Sequence, residues 1–329
     1  MLTRRHVVLM AGTTAAMVGV ASALAQGRMQ GPIQVVATFS VLGDLVKNVG
    51  GDRVDVIALV GPNGDIHVYS PTPADARAIA TARAVVVNGL GLEGWLDRLI
   101  AVSGAAPVIV ASAGIKPRHT ARDAARGRGS DQTTIDPHAW QSVANAEIYV
   151  ANIRDGLSRA DPAGKDSYDA NARSYLAKLD ALETEVRQAI GKIPADRRKI
   201  ITTHAAFGYF GDKYGIEFIA PEGIATDVAP PAQDVAAIIA QVKRQKIPAV
   251  FIENITDPRL MRQIASETGA TIGGTLYSDA LSGPDGPAST YIDMMRHNIG
   301  EFDKALIGAA AIDRQDSEAI AHIGGSAIE

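Results

Sequence analysis

From Ile33 to Ile307 the chain alternates short β-branched runs with stretches whose apolar residues recur every three or four positions. Ile33 to Thr38 is largely apolar and bounded by Pro32, which predicts a buried parallel strand. Val41 to Val49 has helical periodicity and stops at Gly50-Gly51. Val54 to Val60 predicts a second strand, broken by Gly61-Pro62-Asn63-Gly64. Thr72-Pro73-Ala74-Asp75 opens a helix, with Thr72 as N-cap and Pro73 in the first turn. Ala84 to Asn88 and Val108 to Ala111 complete a first set of strands. Lys116 to Gln132 has no hydrophobic face and several arginines, and reads as a mobile surface loop, disordered without metal.

Asp161-Pro162 begins a different pattern. Tyr168, Ala172, Tyr175, Leu179, Leu182, Val186 and Ile190 mark one amphipathic helix over Lys165 to Lys192. At about 28 residues it would run roughly 42 Å. After Pro194 the alternation returns, with strands expected at 199–203, 217–220, 249–253 and 270–276, and helices at 232–246, 258–268 and 291–307. Residues 313–329 are weakly patterned and expected to fray. The expected fold is α/β: two lobes, each with a mostly parallel sheet flanked by helices, joined by one long rigid helix. The boundaries follow as 26–160, 161–193 and 194–329. A rigid strut implies modest closure between lobes, so ligand release is expected to involve loop movement.

Residues 1–25 stand apart. Arg4 and Arg5 precede an apolar stretch from Val7 to Val20, and Ala23-Leu24-Ala25 offers a small-residue cleavage site, as in a secretory signal peptide. Thr3-Arg4-Arg5 fits a twin-arginine signal and ordinary n-region arginines equally well. The absence of cysteine rules out disulfides, thiolate ligands and lipid attachment through an N-terminal Cys, so a free periplasmic protein is expected. A net charge of −4 with no basic run argues against a nucleic-acid partner.

Without thiolates, a tight metal site must use His, Asp and Glu. His67, His138, His204 and Asp279 each fall where a strand is expected to hand over to a loop, the end of an open α/β sheet at which ligands bind. Three imidazoles and a carboxylate suit a closed four-coordinate zinc site. Their spacings of 71, 66 and 75 residues exclude a local zinc finger and leave each residue with a plain surface or structural alternative. His119, His297 and His322 take that alternative.

The segments around the four residues resemble the substrate-binding proteins of zinc and manganese ABC transporters. Residues 61–73, Gly-Pro-Asn-Gly-Asp-Ile-His-Val-Tyr-Ser-Pro-Thr-Pro, are similar to the family's Asp-Pro-His-x-Tyr-Glu-Pro-Thr-Pro motif. Asn88 to Leu96 resembles its next segment, Asp136-Pro137-His138-Ala139-Trp140 its second histidine motif, Thr202 to Phe207 its third, and Tyr277 to Leu281 its acidic one. The resemblance implies two α/β lobes joined by a long helix, metal ligands at His67, His138, His204 and Asp279, no catalytic residue, and delivery of the ion to an inner-membrane permease. A monomer is expected, with a periplasmic metallochaperone as a further candidate partner. Ile66 and Ser70 depart from the family's proline and glutamate, which makes His67 the least secure corner. The long His-rich loop of many zinc members is absent, since Lys116 to Gln132 holds only His119.

Manganese members tend to carry a carboxylate at the third ligand position, where this chain has His204. Imidazole favours zinc over the harder manganese, so Zn2+ is the expected cargo and Mn2+ the alternative. Asp136 and Glu253 are candidates to orient the histidines. Binding needs neutral imidazoles and should weaken as pH falls through about 6.5. A secreted zinc hydrolase would need an open coordination position, and no H-E-x-x-H occurs. A two-lobed binder of organic solutes would favour an aromatic-rich cleft, against an aromatic content of 5%.

Overall fold

The computed structural model describes residues 31–103, 106–121 and 133–307. In chain order the elements begin with strand β1 (Ile33–Phe39), helix α1 (Ser40–Gly50), β2 (Val54–Val60), α2 (Pro73–Thr81), β3 (Ala84–Val87), α3 (Leu96–Ser103) and β4 (Val108–Val110). A ribbon follows, β5 (Arg118–Ala121) and β6 (Thr133–Asp136), then α4 (Val143–Ala160) and the long α5 (Lys165–Lys192). The remainder is β7 (Lys199–Ile201), α6 (Gly208–Tyr214), β8 (Glu217–Ile219), α7 (Ala232–Gln245), β9 (Ala249–Glu253), α8 (Arg259–Thr268), β10 (Thr271–Leu276) and α9 (Tyr291–Leu306).

Two four-stranded parallel sheets result, ordered β2-β1-β3-β4 and β10-β9-β7-β8. The central strands are apolar runs because helices cover both faces. All four residues of β3 and the last five of β1 are buried. Local chemistry sets the helix ends. Thr72 and Asp75 form a reciprocal capping box at α2, worth about 1 kcal/mol.

Helix α5 buries the stripe expected of it, from Tyr168 to Ile190, against α1 and α4 on one side and α9 on the other. The main hydrophobic core therefore runs unbroken from Val35 and Val86 in the first sheet, through Leu179 and Leu182 of α5, to Phe251 and Phe302 around the second. A smaller core around Val250, Met261 and Ile264 fills the other face of the second sheet.

The expectation of a structureless 116–132 loop needs correction. Arg118–Ala121 pairs antiparallel with Thr133–Asp136, in the register Arg118↔Asp136 and Thr120↔Thr134. His119 accordingly sits on a strand. Residues 122–132 lie outside the described residues, as do residues 1–25, where a signal peptide is expected, and the tail 313–329. Helices α3 and α6 were not foreseen, and β7 ends at Ile201, two residues earlier than expected.

Candidate metal centre

Each of the four candidate residues leaves the carboxyl end of a strand, and each is aimed by its own local device. After β2 the chain turns through Gly61 and Gly64 (Gly64 N–H to Gly61 O, 3.1 Å) and sinks Ile66 into the core, fully buried. The isoleucine in place of the family's proline is thus anchored by packing, and its carbonyl accepts from Trp95 Nε1 at 3.4 Å. The His67 N–H then donates to Asp65 Oδ1 at 2.8 Å, while Asp65 Oδ2 accepts from Thr226 Oγ1 at 2.5 Å.

His138 follows β6. Asp136 Oδ1 accepts the His138 N–H at 3.0 Å and faces its Nδ1 at 2.8 Å. The intervening Pro137 carbonyl is held by Asn88 Nδ2 at 2.9 Å, and Asn88 is itself fixed by the Tyr149 hydroxyl and by the buried Glu93 carboxylate at its N–H. His204 follows β7. Its N–H donates to Glu253 Oε1 at 2.9 Å and its Nδ1 lies 2.6 Å from Glu253 Oε2, the last residue of the adjoining β9. Asp279 follows β10. The preceding Ser278 carbonyl accepts from both Trp140 Nε1 (3.0 Å) and Gln141 Nε2 (2.8 Å), which ties the chain before Asp279 to the turn after His138.

These devices bring the side chains together. His67 Nε2 lies 3.2 Å from His138 Nε2 and 3.0 Å from Asp279 Oδ2. His204 Nε2 is 3.1 Å from Asp279 Oδ2, and His138 Nε2 is 3.6 Å from Asp279 Oδ1. One donor atom from each residue fits within 4.8 Å of all the others. His138, His204 and Asp279 are fully buried, whereas the His67 side chain is 5% exposed. Asp279 Oδ1 is buried without a hydrogen-bond partner, so it keeps a lone pair available for a ligand.

The charges are coupled. Burial alone would lower the His138 pKa, but the Asp279 charge and the Asp136 bond outweigh it and push it up to about 9. His204 is likewise held well above its ordinary value, with Glu253 and Asp279 overcoming burial. Burial would raise Asp279, yet the two imidazoles drive it well below the usual carboxylate range. Asp279 and the two imidazoles thus favour each other's charged forms against the cost of burial. Burial also lifts Glu222, at the cleft, to about 7, helped by the nearby Glu253 and Asp65 and opposed by His204.

A cavity of about 1140 Å3 opens above the cluster, lined by His67, Tyr69 and Trp95 on one side and Glu222, Ile224 and Asp227 on the other. Of the four candidate residues only His67 lines it.

The profile of the zinc-uptake complex component A, a periplasmic protein, matches residues 35–305. The chain belongs to that family. Its relatives include the iron-binding protein YfeA of Yersinia pestis, 34% identical over 83% of this chain and 86% of its own. The manganese-binding lipoprotein MntA of Halalkalibacterium halodurans is 35% identical over 83% of this chain and 88% of its own. Among solved structures, the zinc-binding protein TroA of Treponema pallidum superimposes with a TM-score of 0.77 at 29% identity, covering 84% of this chain and 99% of TroA. A manganese-bound periplasmic metal-binding protein of Candidatus Liberibacter asiaticus gives 0.74 at 31% identity, over 83% and 99%. This family consists of substrate-binding components of metal ABC transporters, which work with a membrane permease and are not enzymes. The hydrolase alternative is thereby set aside. No helix among the described residues is long and apolar enough to cross a membrane.

The roles of several partners in the site are not legible in the sequence. Asn88, Glu93 and Tyr149 sit 50, 45 and 11 positions from His138, and Gln141 reads as an ordinary turn residue until its bond to Ser278 is seen. Asn88 and Glu93 lie in the segment that resembles the family, which marks the stretch without saying what either residue holds.

Proposed function

We propose that the protein captures Zn2+ in the periplasm through His67, His138, His204 and Asp279 and hands it to an ABC permease. The observation that carries the choice of metal is His204, an imidazole in the third position, giving three nitrogens and one carboxylate oxygen. A tetrahedron with arms of about 2.0 Å has edges of about 3.3 Å. Three of the six edges, His67 Nε2 to Asp279 Oδ2 at 3.0 Å, His204 Nε2 to Asp279 Oδ2 at 3.1 Å and His67 Nε2 to His138 Nε2 at 3.2 Å, lie near that length and support the reading. The organisation proposed with it is a lobe at 26–160, a linker at 161–193 and a lobe at 194–329, in a monomer that a metallochaperone can load. Relatives named as lipoproteins speak for anchoring, while the lack of cysteine speaks against it here, and we favour an unanchored protein.

A manganese or iron reading has its own support, since relatives at 34–35% identity are named for those metals. Competitive titration of the metal-free protein with Zn2+, Mn2+ and Fe2+, repeated on His204→Glu, separates the readings. Zinc should bind well below micromolar and ahead of the other two, and His204→Glu should narrow the gap. Manganese binding as tight as zinc in the unaltered protein would overturn the zinc assignment.

A further inference from the structure

Arg118 and Asp136 face each other across the β5–β6 ribbon. Asp136 is fully buried and its two oxygens serve different partners. Oδ1 meets the His138 N–H and Nδ1, and Oδ2 accepts from Arg118 Nη1 at 3.3 Å. Helix α6, which begins four residues after His204, grips the arginine in turn. Arg118 Nε donates to Asp212 Oδ2 at 2.9 Å, and the Arg118 N–H donates to the Tyr209 hydroxyl at 2.8 Å. That hydroxyl donates to the Asp136 carbonyl at 3.2 Å. Gly208, the first residue of α6, completes the seat. A Cβ there would come within 2.5 Å of both Arg118 Nη1 and Asp136 Oδ2.

A carboxylate held on one oxygen can swing about its terminal torsion, which has no sharp preference of its own. Opposed partners on both oxygens fix its plane. Arginine suits the task because its rigid fork can serve two carboxylates at once, here one from the ribbon and one from α6. The Asp212 arm is exposed (67%) and adds little alone, whereas the Asp136 arm ends on a buried group beside His138. Groups that orient a metal-binding imidazole set which ring nitrogen carries the proton and where the other points.

We propose that Arg118 is a positioning residue for metal binding: by clamping Asp136 against α6 it fixes the ring of His138, so that affinity is set in part from strand β5. The proposal rests on the quartet being the metal site.

The test compares the unaltered protein with Arg118→Met, Arg118→Lys, Gly208→Ala and His138→Ala. Zn2+ affinity is read by competition with a chelator, and ligand geometry by the visible absorption of the Co2+ form. Arg118→Met should weaken zinc about tenfold, the lower end for groups that orient a ligand, and should alter the Co2+ band. Arg118→Lys should recover part of the loss, since an ammonium supplies the charge without the fork. Gly208→Ala pushes the pair apart with every charge retained and should act in the same direction. The double variant Arg118→Met with Gly208→Ala should be little weaker than Arg118→Met alone, because both break one contact. If Gly208→Ala fails to fold, the arginine variants decide. Unchanged zinc affinity and an unchanged Co2+ band in Arg118→Met, while His138→Ala loses zinc, would overturn the clamp and leave the site standing. The same holds if Arg118→Met lowers the melting temperature without moving affinity. Unimpaired zinc binding in His138→Ala would overturn the site and the clamp with it.

Discussion

The inner and outer parts of the proposed metal centre are built differently. On the inner side, His138 and His204 each have a carboxylate against Nδ1, and both residues are fully buried. Asp279 stands behind a carbonyl pinned by Trp140 and Gln141. On the outer side, His67 is secured through its backbone to Asp65, and its Nδ1 has no protein partner among the described residues. It also faces the cavity. A rigid base with one less constrained corner allows tight holding together with a route out. The unbroken core through α5 and α9 makes wide hinge opening costly, so release through the loops bearing His67 and Thr226 is the economical path.

The sharpest way to break this contrast is to remove its members one at a time. Asp279→Ala deletes the only anion among the four donors and leaves His138 and His204 facing each other without it. Zinc affinity should fall by more than about 100-fold, beyond what orienting groups typically cost, and His204→Ala should be comparable. His67→Ala should lose roughly tenfold less than either, because the inner three stay organised. Equal losses at all four positions, measured by chelator competition, would erase the distinction.

A second effect, of comparable size, concerns pH. An unfolded histidine titrates near 6.5, and His138 in the folded, metal-free protein titrates at about 9. Its contribution to metal-free stability is therefore complete below about 6.5 and lost as pH rises through 9. Asp279 runs the other way: its lowered pKa stabilises above the ordinary value of 3.8 and is lost as pH falls through the depressed one. Zinc must displace the inner protons. Its affinity should keep climbing from pH 6.5 to about 9 instead of levelling off just above 6.5, by about tenfold per unit for each proton released. The thermal stability of the metal-free protein should fall over the same interval. A plateau in affinity from pH 7 upward would place the inner histidines in the neutral form before metal arrives.

That revision shows where sequence reading stops. The strands were legible because β3 and the last five residues of β1 are buried and so are largely apolar, and α5 because its buried stripe is uninterrupted from Tyr168 to Ile190. The convergence of four distant residues was made plausible by their places at strand ends, and the motifs around them singled them out. The β5–β6 ribbon was misread as loop because Arg118–Ala121 and Thr133–Asp136 are polar, and their pairing is a backbone matter that hydropathy does not register. Helix α6 was missed because its seven residues include Gly208 and Gly211 and present no repeating face. The pH expectation of 6.5 treated the imidazoles as isolated, whereas their coupling to Asp279, Asp136 and Glu253 exists only in the folded site.

The two remaining changes are smaller and should affect different quantities. Trp140→Phe removes one of the two donors to the Ser278 carbonyl on the inner side. The expected cost is about 1 kcal/mol of stability, with a severalfold loss of affinity as Asp279 loosens. Thr226→Val removes only the hydroxyl that ties Asp65, and with it the His67 loop, to the opposite side of the cleft. The four donors and their inner braces are untouched. Equilibrium affinity should change by no more than about threefold, the weight of one partly exposed hydrogen bond. Transfer of zinc to a chelator, followed by stopped flow, should become faster by a similar factor. The ratio of the two effects decides the matter. If Thr226→Val leaves the off-rate alone and Trp140→Phe raises it, the metal leaves past the inner wall, and the assignment of rigid base and yielding corner has to be reversed.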